Sequence, residues 1–299
     1  MFGCTMRAAR LFSSLVLFFV APLAFSQQCS SYVAVNAFDA GSKAPLRGLA
    51  ARDFTASMGS SIAEVVSIQP AFRNRAVVLV DAASPTILNS VADILREAPE
   101  GMPVAFAAFG EHSVLSNGFF SRGDERNVAI DTVLAGSKNL GSHPRVLDAL
   151  HRAAGLFEHP QPGDTILLVT DRHEAGSRIH AAALRQELQK RGIRVQFLLP
   201  PVIVNSDLGA ASLFTPWTLI DRADDRIIEL AAGTGGAFMG FMNAEWLSVA
   251  SSGYVMQLLI NEASSRKARL HLALRQTGGK LFYSPRVLPC KTSLVADVR

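Results

Sequence analysis

Two apolar segments, each ending on an aspartate, constrain the fold of this chain most strongly. The first is Arg75-Ala-Val-Val-Leu-Val-Asp-Ala-Ala-Ser84, and the second is Thr165-Ile-Leu-Leu-Val-Thr-Asp171. A segment that is apolar on both faces is typical of a central strand in a parallel sheet covered by helices on either side. Ligands bind such sheets beyond the carboxyl ends of the strands, and Asp81 and Asp171 are predicted to lie there.

Strand and helix patterns alternate from residue 76 to residue 241. Helices are predicted over 86–96, 124–134, 145–157, 179–191 and 224–232, with Asp124 as an N-cap. The segments before residue 70 and after residue 254 contain strand patterns instead, and Gly278-Gly279 is predicted to form a hairpin turn. This order predicts the α/β class: a Rossmann-like, mostly parallel sheet between helix layers, plus a small accessory β module formed by the N- and C-terminal segments together.

The first 26 residues have the pattern of a secretory signal peptide. Arg7 and Arg10 form a basic region, residues 11–25 an apolar core, and Ala24-Phe25-Ser26 a cleavage site. The apolar core is too short for a transmembrane anchor, and no other segment of the sequence has the length and apolar character of a membrane span. We therefore predict a periplasmic or secreted protein. The predicted parts are the β module over 27–70 and 246–290, the α/β domain over 71–245 and a flexible tail over 291–299.

Composition and cysteine content narrow the range of functions that the sequence allows. The chain is 49% hydrophobic and 18% charged, which is typical of a globular protein. Its formal net charge of +4 belongs partly to the leader and is too weak to indicate binding to nucleic acid or to an anionic membrane. Cys4 lies in the leader. The remaining pair, Cys29 and Cys290, is predicted to form a disulfide, because export supplies an oxidising compartment.

Four features in order carry a family resemblance: Val77-Val-Leu-Val-Asp81, the strand pattern over 104–109, Leu147-Asp-Ala-Leu150 and Ile166-Leu-Leu-Val-Thr-Asp171. With them, the α/β segment resembles a von Willebrand factor type A domain. Residues 31–288 as a whole are similar to the exported bacterial "VWFA-related" proteins common in Acidobacteria. The matching phrases are Lys43-Ala-Pro-Leu-Arg-Gly-Leu-Ala-Ala-Arg-Asp-Phe54, Leu230-Ala-Ala-Gly-Thr-Gly-Gly236 and the β segment from Tyr254 to Arg286.

The resemblance implies a divalent-cation site, the metal-ion-dependent adhesion site (MIDAS), after the first apolar strand. Its Asp-x-Ser-x-Ser motif, a threonine and a second aspartate would supply the ligands. Asp81 and Asp171 match the two aspartates, but Ala83 and Pro85 occupy the serine positions and Pro144 the threonine position. Since most hydroxyl ligands of a Mg²⁺ shell are missing, we predict a degenerate site without a metal or any other cofactor.

The resemblance also implies a non-enzymatic protein-interaction module, adhesion-like or scaffold-like, with an unidentified protein partner. Partner binding is predicted to use the loops at the carboxyl edge of the sheet. Alanine substitutions at Asp171, Arg172 and His173 are expected to weaken binding with little loss of stability. The predicted binding residues are Asp81, Ser84, Ser142, Asp171, Arg172 and His173.

Other readings stay open. Asp81, Asp171 and Ser84 would form a rearranged metal site. A secreted metal-dependent hydrolase would be centred on Asp81, Asp171 and His173, although no His-Glu-x-x-His pattern is present. A structural envelope protein without a discrete ligand is a further possibility. The glycines of 233–236 are predicted to end a helix rather than to cradle phosphate. The apolar segment from Pro200 to Trp217 is predicted either to join the core or to form a binding loop.

Overall fold

The structure, a computed structural model, describes residues 28–42, 44–70, 74–200, 224–240, 253–261, 268–288 and 290. The predicted signal peptide, the apolar segment that follows Pro200 and the predicted tail lie outside these residues. None of the helices in the described part of the chain has the length and apolar character needed to cross a membrane. The predicted domain boundaries stay predictions.

The secondary structure alternates in the middle of the chain and is purely β at both ends. The helices are α1 (Pro85–Arg96), α2 (Gly123–Gly136), α3 (Val146–Gly155), α4 (Ala181–Arg191) and α5 (Asp225–Thr234), with 3₁₀ turns at Ala51–Asp53 and Ser137–Asn139. The strands are β1 (Gln28–Asp39), β2 (Phe54–Met58), β3 (Ser61–Pro70), β4 (Ala76–Asp81), β5 (Val104–Phe109), β6 (Ser113–Leu115), β7 (Thr165–Val169), β8 (Arg194–Leu199), β9 (Phe238–Gly240), β10 (Tyr254–Asn261), β11 (Leu270–Leu274) and β12 (Gly279–Tyr283).

The middle strands form a six-stranded sheet in the order β6-β5-β4-β7-β8-β9, in which only β6 is antiparallel to its neighbour. Every residue of the central strand β4 is buried. Val77 and Leu79 share a core with α3, α4 and α5, whereas Val78 and Val80 share a core with α1 and α2. Because strand side chains alternate between faces, a strand between two helix layers must be apolar throughout. The predicted α/β class is confirmed.

The second sheet is antiparallel and contains strands from both ends of the described chain, in the order β11-β2-β3-β10-β1-β12. Its two edge strands approach each other, since the Leu272 N–H donates to the Tyr283 hydroxyl at 3.0 Å and the Leu270 N–H donates to the Pro285 carbonyl at 2.8 Å. This sheet is the accessory β module of the predicted fold class. The hairpin predicted at Gly278-Gly279 is wrong, because β11 pairs with β2 and β12 pairs with β1.

A buried arginine joins the two sheets. Arg194 begins β8 and is only 2% exposed. Its guanidinium donates to the side chain of Asn36 on β1 at 2.9 Å and to the Thr165 hydroxyl at 3.2 Å. Burial lowers the pKa of the Arg194 guanidinium to about 10, against the attraction of Asp164, which raises it. The group is therefore still a cation at neutral pH and holds polar partners from both sheets.

Two glycines after α5 allow close backbone contacts, Gly235 with the end of β12 in the other sheet and Gly236 with β8 in the parallel sheet. Gly235 ends α5 in the left-handed conformation with φ of 84°, so the glycine-rich phrase does end a helix, as predicted. A Cβ atom on Gly235 would overlap the backbone of Ser284, and one on Gly236 would overlap the carbonyl of Val195. Only glycine fits at these two positions without displacing backbone.

The N-cap predicted at Asp124 is wrong. Helix α2 begins at Gly123, and Arg122 occupies the N-cap position. Asp124 lies in the first turn, where its carboxylate accepts from the Glu125 N–H at 3.0 Å. The Gly123 N–H instead donates to Glu100, a distant carboxylate, at 2.9 Å. A tertiary contact thus satisfies one of the helix donors that an N-cap side chain would otherwise serve.

Cys29 and Cys290 form the predicted disulfide. Cys29 lies in β1, and the two Cα atoms are 5.6 Å apart, a separation typical of disulfides. The bond closes a loop with a sequence separation of 261 residues. It therefore ties the first described strand to the last described residue.

Reduction of this disulfide is expected to destabilise the protein. In the chain-entropy model, a loop of this length contributes about 5 to 6 kcal/mol to the free energy of unfolding. Intact mass should rise by two hydrogen atoms on reduction, and urea unfolding should shift to lower concentration. A Cys29→Ser/Cys290→Ser variant is the control, because reductant should leave its unfolding curve unchanged. Alkylation of both thiols without reductant would contradict the pairing.

Candidate functional site

The carboxyl ends of β4 and β7 lie side by side at the centre of the parallel sheet. Val80 pairs with Val169, so the next residues along these strands, Asp81 and Thr170, lie level with each other. The chain order of the strands reverses at β4, with β5 on one side and β7 on the other. A reversal of this kind opens a crevice at the carboxyl edge, where α/β sheets bind ligands.

Four hydrogen bonds occupy the carboxylate of Asp81, which is 6% exposed. Oδ1 accepts from the Ala83 N–H at 2.9 Å and from the Arg172 Nη2 at 3.1 Å. Oδ2 accepts from the Thr170 hydroxyl at 2.9 Å and from the Arg172 Nε at 2.8 Å. A carboxylate has about four lone-pair positions. The acceptor capacity of Asp81 is therefore filled.

The guanidinium of Arg172 takes the place beside Asp81. Its Nε and Nη2 form the bidentate pair with the carboxylate, a geometry that suits arginine better than lysine. Its Nη1 donates to the Ser142 carbonyl at 2.6 Å, and its backbone N–H donates to the Thr170 hydroxyl at 3.1 Å. One side chain therefore connects the ends of β4 and β7 with the loop before α3.

Glu174 attaches the loop after β7, which also contains Arg172, at a second point. Its carboxylate accepts from the Leu147 N–H in the first turn of α3 at 2.9 Å and from the Ser177 N–H at 2.7 Å. A carboxylate at a helix N-terminus also interacts favourably with the helix dipole. Glu174 therefore fixes the loop after β7 onto α3.

Asp224, the N-cap of α5, completes this second attachment. Its carboxylate accepts from the Glu174 N–H at 2.9 Å and pairs with the Arg226 guanidinium at 2.6 Å. Burial alone would raise the pKa of the Asp224 carboxyl, but hydrogen bonds from the Arg226 side chain and from the N–H groups of Glu174 and Arg226 hold the pKa below its usual range. The negative charge of Asp224 is thus stabilised in place.

The remaining predicted binding residues have separate environments. Ser84 is the N-cap of α1 and its hydroxyl accepts from the Ile87 N–H at 3.4 Å. Ser142 is exposed, and its hydroxyl lies 3.3 Å from Nδ1 of His143. Asp171 is half-buried and engaged by other groups. His173 has a side chain that is 63% exposed, with Nδ1 3.9 Å from the Asp224 carboxylate.

The arrangement does not fit a divalent cation. Asp81 has no acceptor position left, and the Ser84 hydroxyl already serves α1. Ala83, Pro85 and Pro144 offer no hydroxyl, and a cation beside Asp81 would face the positive Arg172 guanidinium. Within the part of the chain that the structure describes, no group of three or more His, Cys, Asp or Glu residues could hold a metal ion.

Sequence reasoning missed the partners of Asp81 and the second attachment of the loop. Thr170 is part of a predicted strand, and the two apolar runs, equal in length, would set Asp171 level with Asp81. The observed register sets Thr170 there instead. Arg172 was predicted to bind a partner, yet its guanidinium also neutralises a buried carboxylate. Nothing in the local sequence of Glu174 or Asp224 indicates their pairing, because the two residues are distant in the chain.

An open cleft of about 570 Å³ adjoins Arg172. We call it the Arg172 cleft. Its wall is formed by the loop after β4, by the second 3₁₀ turn and the residues after it, and by Arg172 itself. The lining residues are Ala82, Ala83, Ser137, Lys138, Asn139, Leu140, Gly141, Ser142 and Arg172.

A sheet in this strand order, with helices on both faces and an aspartate at the end of the central strand, has the Rossmann-like α/β arrangement of the predicted fold class. No protein-family model and no curated protein match the chain. Solved structures with similarity include BatB from Bacteroides thetaiotaomicron, at 15% identity over 60% of this chain and 95% of that chain, with a TM-score of 0.41.

Two further solved structures are similar over longer parts of this chain. A von Willebrand factor type A protein from Catenulispora acidiphila has 10% identity over 90% of this chain and 76% of its own, with a TM-score of 0.44. Proximal thread matrix protein 1 from the mussel byssus, whose MIDAS motif is occupied by zinc, has 15% identity over 68% of this chain and 50% of its own, with a TM-score of 0.45. These likenesses concern the fold alone.

Substitution of Arg172 by alanine is expected to lower the free energy of unfolding by roughly 2 to 4 kcal/mol, because it leaves the buried Asp81 charge without its partner. This expectation replaces the prediction that Arg172→Ala would cause little loss of stability. In an Asp81→Asn background the same substitution should lower the free energy of unfolding by a smaller amount. Urea unfolding measures both effects. Arg178→Ala is the matched control, since this exposed arginine of the same loop makes no side-chain hydrogen bond or ion pair with described residues, and its loss should change stability by less than about 0.5 kcal/mol.

Calorimetric titration of the metal-stripped protein with Mg²⁺ and Mn²⁺ is expected to show no saturable binding tighter than about 100 µM. The physical reason is that the ion would have to displace the Arg172 guanidinium and would keep most of its own waters. Tighter binding that disappears in Asp81→Ala would contradict this expectation.

Proposed function

We propose that the protein is an exported, non-enzymatic protein-interaction module that binds its partner through the loops at the carboxyl edge of the parallel sheet. Binding is proposed to need no metal ion. The observation that carries the proposal is the bidentate Arg172–Asp81 pair, which fills the position of the implied cation while leaving part of the guanidinium accessible, with 27% of the Arg172 side chain exposed.

The contacts of the candidate hydrolase residues favour binding over catalysis. A general base needs a free acceptor position, and the four positions of Asp81 are occupied. His173 is mostly exposed, and its nearest acidic contact is Asp224, whose own carboxylate is held by Arg226 and the Glu174 N–H. Of the groups that a hydrolase would use, Asp81 is therefore engaged in holding loops together, and His173 faces a carboxylate that is already engaged.

Rigid, partly exposed loops suit recognition of a protein surface. The loop after β7 is attached at Arg172 and again at Glu174, so little backbone entropy remains to be lost when a partner binds. Ser142 and His173 lie in this region with exposed side chains. They are the side chains of the predicted set that a partner reaches without disturbing the fold.

Location outside the cytoplasm is part of the proposal. The Cys29–Cys290 disulfide supports it, because such bonds persist in oxidising compartments. The apolar leader over residues 1–26 points the same way. The two features together support periplasmic or extracellular location.

The test is capture of partners from periplasmic extract on immobilised protein, with and without a chelator. Capture is expected to be insensitive to chelator and to fall in His173→Ala and Ser142→Ala, because these changes remove exposed contacts at the edge while leaving Arg172 and Asp81 paired. His271→Ala is the matched control, since His271 is an exposed histidine of β11 in the other sheet. Capture that requires a divalent metal, or that is lost equally in the control, would contradict the proposal.

A further inference from the structure

Arg194, at the junction of the two sheets, is a buried cation without a carboxylate of its own. Among the described residues its guanidinium donates only to neutral acceptors. Asp164 attracts it, but the Asp164 carboxylate already accepts from Nε and Nη2 of Arg75. These three side chains together carry one more positive than negative charge. A buried charge without compensation is unfavourable.

The junction also has more hydrogen-bond donors than acceptors. The Arg194 Nε is buried and has no acceptor among the described residues, and the same holds for Nδ2 of Asn36. The orientation of the Asn36 amide is fixed, because its Oδ1 accepts from Arg194 Nη1 at 2.9 Å and a guanidinium can only donate. Both the charge and the unused donors therefore indicate an additional acceptor at this place.

A small cavity adjoins Arg194, and we call it the junction cavity. Its volume is about 20 Å³, which is room for one species of the size of a water molecule. The wall contains residues of β1 and β8, the end of α5 and the segment after β12. Its two charged residues are Arg194 and Arg286, and none of the lining residues is an aspartate or a glutamate. The cavity is therefore positive.

We propose that the junction cavity binds one chloride ion as the counter-ion of the Arg194 guanidinium. The ion accepts a hydrogen bond from Arg194 Nε, and its single negative charge balances the one excess positive charge of Arg75, Asp164 and Arg194. This site goes beyond the proposed function, since it lies between the sheets and away from the partner-binding edge. Its role is to stabilise the packing of the β module on the α/β domain.

Size and charge select chloride over other acceptors. A water molecule would accept the same hydrogen bond but would leave the charge uncompensated. Phosphate, sulfate and carboxylate groups need more space than one water-sized position. Arg286 is exposed, and its side chain makes no hydrogen bond or ion pair with the part of the chain that the structure describes. Its charge therefore remains available to attract an anion from solvent.

The unfolding temperature tests this proposal when sodium chloride replaces sodium gluconate at constant ionic strength, because gluconate is too large for the junction cavity. The temperature is expected to rise by about 3 °C for each tenfold rise in chloride above the dissociation constant, since the ion binds only the folded protein. Arg286→Glu adds a carboxylate at the cavity wall that repels the ion, and this response should be lost. Arg178→Glu makes the same charge change in the exposed loop after β7 and should keep it.

A crystal grown with bromide in place of chloride locates the ion directly. The anomalous signal of bromide is expected in the junction cavity, in contact with Arg194. This measurement needs no variant, so it decides the matter even if Arg286→Glu fails to fold. Bromide at the protein surface only, an unchanged chloride response in folded Arg286→Glu, or an equal loss of response in both glutamate variants would overturn the proposal.

Discussion

The ion pair between Arg172 and Asp81 is the interaction on which the carboxyl edge of the sheet depends. Asp81 ends the central strand with its carboxylate buried, and a buried carboxylate needs compensation by charge and by hydrogen bonds. Arg172 supplies both and also holds the Ser142 carbonyl. The occupancy of this position by a metal ion would depend on the metal concentration in the medium. A guanidinium is part of the chain and stays charged at every physiological pH.

Pairing Asp81 with a guanidinium rather than with a metal ion also changes the contacts that the site can offer. A Mg²⁺ ion bound by few protein ligands keeps several of its own waters. A guanidinium paired with Asp81 keeps its geometry, and its terminal nitrogens offer only the donors that Asp81 and Ser142 do not use. Glu174 and Asp224 help to fix the position of Arg172, because they attach the loop that contains it to α3 and to the N-cap of α5. The loop is therefore held in one position by side chains of the protein itself.

The sequence predicted the parts of the fold that follow from the local pattern of apolar residues. Val77 to Val80 are apolar on both faces, which requires helices on both sides of the strand, and the structure has them. The contacts of Asp81 were harder to foresee, because they depend on the register that sets it level with Thr170 and on the reach of a long arginine side chain. The errors at Asp124 and at Gly278-Gly279 have the same origin. Glu100 and the partner strands of β11 and β12 are distant in the chain, and local patterns do not specify them.

The disulfide has a mechanical consequence. Cys29 and Cys290 enclose nearly the whole described chain and lie together at the β module. Tension applied through the chain outside these two residues passes from one sulfur to the other, along covalent bonds. The parallel sheet and the Arg172 cleft lie within the loop that the disulfide closes, so this tension does not pass through them. A load on both ends of the chain would therefore leave the loops at the carboxyl edge unstretched.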